Sequence, residues 1–228
     1  MNCLYYWKMV IRMNIFKEAC DYLSKEPNRQ NIDMSLKNTH VKGMYSIVLN
    51  IDNDGNLFRV FYATEEIKPY EIALHEHRYS LTLGFIDGCV KQHSLIENSL
   101  IETYGETYTY ICERISLPVF KYDTPLNGGN GLTYIEDIFA YIISTDMPLY
   151  SSVYLNADDI HTISCNKGSM WIVREENLGY NKNYSYVYGK AFTTDGLYDK
   201  ISDEEYNTIF NLIKDKLKPY LNCINNTN

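Results

Sequence analysis

From Tyr45 to Tyr188 the chain is cut into short apolar stretches, rich in β-branched and aromatic residues and separated by turn chemistry. That punctuation constrains the fold more than any other feature. It leaves little room for long amphipathic helices, and it shows no alternating βαβ units. Tyr45 to Ile51 and Leu57 to Ala63 flank Asp52-Asn53-Asp54-Gly55, and Asp87-Gly88 separates a run from Ile67 to Ile86 from Cys89 to Ile96. Further strands are expected over Glu106 to Ile115, Val119 to Tyr122, Leu149 to Leu155, Asp159 to Cys165, Ser169 to Glu175 and Tyr184 to Tyr188. The Asp52 turn superficially fits a calcium loop, but with Gly55 at the sixth position the twelfth is Phe61, where a carboxylate is required. The hairpin reading wins.

Three helices frame or interrupt the strands. The first runs roughly from Asn14 to Lys25, with Ile15, Phe16, Cys20 and Leu23 on one stripe before Pro27. The capping boxes Thr133-x-x-Glu136 and Ser202-x-x-Glu205 announce a helix to about Ser144 and another from Asp203 to Leu217. Asn127-Gly128-Gly129-Asn130-Gly131 reads as a flexible loop. The expected organisation is a helix and polar arm over 1–42, a β-barrel over 43–190 with a helical insertion near 133–144, and a C-terminal helix within 191–228.

Composition narrows the function classes. With 228 residues and 45% apolar content the chain can bury a sizeable core, which excludes wholesale disorder. Its 21 basic and 29 acidic residues give a net charge of −8, which argues against general nucleic-acid binding through a basic face. No apolar run spans a bilayer. The six cysteines are scattered without a CxxC pair, so they read as free thiols in a reducing, cytoplasmic setting. Abundant Tyr, Asn and Ile hint at an AT-rich, viral genome, and so at a host cytoplasm. The amphipathic pattern begins after Met13, which makes residues 1–12 an upstream extension.

One constellation carries chemistry. In Leu74-His75-Glu76-His77-Arg78-Tyr79-Ser80-Leu81, strand alternation puts His75, His77, Tyr79 and Leu81 on one face. That face turns apolar after the histidines, so both imidazoles point inward and can converge on one metal ion. The competing reading is two core histidines satisfied by neighbouring carbonyls. His161 lies on another short strand, beside Asp159 on the same face, and Asp159 is placed to orient its ring or to bind directly. His93 reads as a surface residue, His40 as a solvated member of the arm, and at least one of Met170 and Trp171 as core.

His75-x-His77, Gly88 and the later His161 resemble the cupin superfamily, whose members fold as a small jelly-roll barrel, the double-stranded β-helix. The first cupin motif carries two histidines, a glutamate and a glycine. Here the glutamate slot falls on Leu81, and the second motif is matched only by His161, with Asn156, Asp158 and Cys165 at its proline, glycine and asparagine positions. The missing carboxylate is a feature of three-histidine cupins, including the thiol dioxygenases, and Ser80 stands at the same distance from the second histidine as a serine does there. The resemblance implies one transition metal ion on His75, His77 and His161, Fe(II) favoured and Zn, Ni or Mn as alternatives. It implies a small-molecule substrate, an oxygenase or related activity with Tyr79 and Asp159 as supporting catalytic groups, and pairing into a homodimer. Two other readings stay open. One is a non-catalytic module that binds a small metabolite or nucleotide, and the other is a metal-free epimerase-like barrel with a histidine base and a tyrosine acid.

Overall fold

The computed structural model describes residues 14–52, 55–97, 113–123, 131–176, 184–189 and 199–225. Helices α1 (Asn14–Leu23) and α2 (Arg29–Asp33) precede thirteen strands among the described residues, and α3 (Asp203–Asn225) follows them. The strands are β1 (Leu36–Lys37), β2 (Met44–Ile51), β3 (Leu57–Ala63), β4 (Leu74–His75), β5 (Ser80–Asp87) and β6 (Val90–Glu97). They continue with β7 (Glu113–Asp123), β8 (Gly131–Met147), β9 (Ser152–Leu155), β10 (His161–Cys165), β11 (Met170–Glu176), β12 (Tyr184–Tyr188) and β13 (Asp199–Lys200).

The strands form two antiparallel sheets. One has the order β13-β1-β2-β3-β11-β5-β9, and the other closes in the order β10-β4-β12-β7-β8-β6. Within them, β3-β11-β5-β9 faces β4-β10-β6-β8, so the chain passes repeatedly from one sheet to the other. This is a jelly roll, the class expected from the sequence.

Period-two alternation gives the first sheet two apolar faces, and each has its own core. Phe58, Val60, Ile47, Leu49, Met170 and Ile172 face outward beneath α1 and α3, where Ile15, Phe16, Tyr206, Phe210 and Ile213 cover them. Phe61, Ala63, Leu81, Leu83, Phe85, Trp171 and Val173 face inward and meet Val90, Ile163 and Cys165 of the second sheet. Helix α1 lies so close to β5 that a Cβ on Gly84 would sit 3.1 Å from both Ile15 Cγ2 and Phe16 Cζ. The Tyr206 hydroxyl, wholly buried, donates to Val48 O at 2.9 Å beside the β2 bulge. The Ser202–Glu205 capping box forms as expected, with the Ser202 hydroxyl accepting from Glu205 N and the Glu205 carboxylate accepting from Ser202 N.

One expectation fails here. The helix over 133–144 is a strand: β8 runs from Gly131 to Met147, paired along one side with β7 and along the other with β6. Tyr134, Ile135, Ile138, Tyr141, Ile142 and Ile143 are β-formers, and long cross-strand pairing outweighs a local capping box. The polar arm over 28–42 carries α2, capped by Asn28 Oδ1 through Asn31 N at 2.9 Å, and β1, which joins the first sheet. Most of the strand expected over 106–115, the glycine loop before Gly131, and residues 1–12 lie outside the described residues. Among the described residues no helix is long and apolar enough to cross a membrane. Cys20 and Cys165 are buried free thiols and Cys89 is an exposed one.

Candidate metal centre

The histidines come together across the seam between β4 and β10. His161 is the direct cross-strand partner of His75, and Val187 of β12 flanks His75 on its other side. His77 lies just beyond β4 and is held by its backbone N–H, which donates to Ala157 O at 2.9 Å. One ligand atom from each of His75, His77 and His161 fits in a group whose members all lie within 4.8 Å of one another. The ring centroids of His75 and His77 are 4.7 Å apart, and those of His77 and His161 are 5.0 Å apart.

Hydrogen bonds set part of the tautomer state. The Nδ1–H of His75 donates to Ala73 O at 2.8 Å, which leaves its Nε2 lone pair free. His77 Nε2 and His161 Nε2 are 2.8 Å apart. Either one ring donates an N–H to the other, or both would present lone pairs to a shared cation. His161 Nδ1 is buried with no hydrogen-bond partner. Burial lowers the pKa of all three rings, to about 3 for His161 and well below the ordinary value for His77, where neighbouring imidazoles add to the effect. Neutral rings are the metal-binding form, so donor type and protonation state fit a transition metal, and the tautomer is fixed for His75 alone.

The facing wall is polar and buried. Arg59 and Glu175 of the first sheet pair at 2.8 Å, with only 14% and 13% of their side chains exposed. Arg59 Nη1 also donates to Ser46 Oγ at 3.2 Å, while its buried Nε–H has no partner. Tyr79 joins this pair by a hydrogen bond to Glu175; desolvation first and the Glu175 charge second push its pKa up to about 12. Below Arg59, Phe61 stacks on Trp171 at 5.6 Å. On the histidine side Ser94 lies directly opposite His161 on β6. Gln92, two residues on, is buried with its Oε1 unpartnered.

The structure does not bring Asp159 to the His161 ring. Its carboxylate closes the turn before β10, accepting from Asn156 N at 2.6 Å and from the Asn156 side-chain amide at 3.2 Å. That same turn contains Ala157, the acceptor of the His77 N–H.

One histidine lies elsewhere than expected. His93 is not on the surface: it is 3% exposed, with Nδ1 2.7 Å from Ser144 Oγ and Nε2 2.8 Å from Ser164 Oγ. It sits on the opposite face of β6 from Ser94, and Tyr70 covers it at 5.6 Å. His40 is solvent-exposed, as expected of the arm, and it also makes ring contacts. Its ring stacks on His75 at 5.6 Å and approaches Phe61 at 6.2 Å. Only a single charge in an apolar run marked Arg59 in the sequence, and nothing marked His40. A cavity of about 690 Å³ opens away from the histidines, between α1 and the ends of β2, β3 and β11, lined by Glu18, Tyr22, Asp52, Phe58 and Arg174.

Comparison with known proteins gives no sequence match, either to a family model or to a curated protein. Solved structures with some likeness include a hydroxypropylphosphonic acid epoxidase from S. wedmorenis, at TM-score 0.35 and 11% identity over 62% of this chain and 54% of that one. A hydroquinone 1,2-dioxygenase from Sphingomonas aligns at TM-score 0.33 and 6% identity, over 57% of this chain and 64% of the other. The polyketide cyclase RemF from Streptomyces resistomycificus aligns at TM-score 0.32 and 9% identity, over 85% and 97%. The chain thus spans little more than half to two thirds of the first two proteins. Likenesses of this size say nothing about the reaction.

Proposed function

We propose that the chain is a metal-dependent enzyme of the three-histidine cupin type, acting on a small molecule, with an oxygenase as the leading activity and Fe(II) as the leading metal. One observation carries this reading: His75, His77 and His161 present neutral nitrogens within 4.8 Å of one another on a jelly-roll seam. A divalent transition metal held there supplies Lewis acidity and, if it is iron, oxygen activation at the positions the histidines leave open.

The chain's own groups do the rest. Ala73 O holds the His75 ring in the tautomer that offers Nε2. Ala157 O holds the His77 backbone, and the Asp159 carboxylate fixes the turn that presents it, so Asp159 is a positioning residue in this proposal. Tyr79, with Glu175 and Arg59, forms the polar wall that would orient a substrate. The free thiols support a reducing, cytoplasmic setting, that of a host cell if the coding sequence is viral.

A second reading rests on the 2.8 Å contact between His77 and His161. An N–H···N hydrogen bond satisfies that contact with no ion, as in a barrel that binds a metabolite without turnover. Metal content by mass spectrometry, with a His75→Ala/His161→Ala double variant beside wild type, separates the two. About one equivalent of transition metal in the wild type and none in a folded variant supports the enzyme. No metal in either, after incubation with Fe(II), Zn, Ni and Mn, supports the binding module.

A further inference from the structure

The hairpin connection between β1 and β2 projects His40 toward the three histidines. Asn38, His40 and Gly43 all have positive φ, at 58°, 65° and 83°. Asn and His tolerate this region better than most residues, yet it still costs energy, and the surroundings hold it in place. Asn38 Oδ1 accepts from Gly43 N at 2.9 Å, Thr39 N donates to Met44 O at 3.0 Å, and Thr64 N and Oγ1 both donate to Gly43 O at 2.8 Å. Asn38 Nδ2 reaches across to Asp199 at 2.7 Å. The apex is therefore a fixed platform.

What it carries is an exposed imidazole whose contacts within the protein are with the rings of His75 and Phe61. The His40 ring lies nearly parallel to His75, at 26°. Neither of its nitrogens has a hydrogen-bond partner among the described residues, although one is a donor and the other an acceptor in the neutral ring. Fixing the plane of His75 does not require it, because the Ala73 carbonyl already does so. Its ligand atoms also fall outside the group formed by the other three.

We propose that His40 is a ligand-contacting residue of this centre: it donates a hydrogen bond to a small ligand bound at the centre beside His75. This rests on the three-histidine metal reading above.

The test uses Co(II)-loaded full-length protein and azide as the ligand, followed by the visible absorption of the metal. His40→Phe keeps an aromatic ring and removes both nitrogens, and His40→Gly accepts the positive φ and removes the ring. Both variants should bind Co(II) like wild type and show the same spectrum without azide, but bind azide about three- to tenfold more weakly, the value of one hydrogen bond. Unchanged azide affinity in both variants would overturn the proposal while leaving the metal centre intact. Weaker Co(II) binding or an altered azide-free spectrum in His40→Gly would overturn it in favour of a merely positioning role. If wild type takes up no Co(II), the metal reading itself has failed.

Discussion

Metal-free protein should be acid-labile through His161, and the effect can be sized from its surroundings. The ring is 6% exposed and packed against two other imidazoles, and burial holds its pKa at about 3 against 6.5 when solvated. The sign follows directly. Below 6.5 the unfolded chain takes up a proton that the native protein refuses, so acidification favours unfolding until the native ring itself protonates. Each pH unit in that window costs about 1.4 kcal/mol per withheld proton, so a fall to about pH 5 removes about 2 kcal/mol through His161 alone. That is a substantial share of a total stability of about 5–15 kcal/mol. Urea unfolding of chelator-treated protein should show it as a midpoint about 0.7–1 M lower, for a slope of about 2–3 kcal/mol per molar. His161→Gln removes this one titration, and its midpoint should fall less steeply over the same range. Superimposable pH profiles for wild type and His161→Gln would refute the reasoning.

Two structural perturbations test the frame of the site. Gly88 turns β5 into β6 at φ 79°, and a Cβ there would lie 2.6 Å from the Ser169 Cα, so Gly88→Ala should cost at least about 2 kcal/mol, read as a lowered thermal midpoint. Arg59→Ala strands the buried Glu175 carboxylate and should cost about 3–5 kcal/mol, whereas the double change Arg59→Met/Glu175→Leu should recover most of it, checked by denaturant unfolding.

The local part of the site was legible, and the long-range part was not. Alternation along a strand is a property of the backbone, so placing His75 and His77 on one face needed only their spacing. That His161 lies directly opposite His75 depends on which strands pair, which no local pattern encodes. The segment 133–144 carried signals for both helix and strand. Its capping box is a local preference, and its β-branched and aromatic residues found partners on two sides. His93 sits between Lys91 and Leu95 on a strand with no clean polar and apolar faces, so its burial came without warning. His40 reaches the centre through a turn whose shape depends on Asn38, Gly43 and a distant Asp199.

The position of the histidines on a seam bears on the order of events during folding. β4 and β10 pair in register at one position, His161 with His75, and His77 meets His161 across 84 residues of sequence. Such a contact closes only after the intervening strands are in place, because loop-closure entropy opposes it until then. A cation caught there would act as a clasp on a finished barrel rather than as a seed for it. It would lengthen the lifetime of the native state by slowing the opening of the seam, and leave the rate of folding nearly untouched.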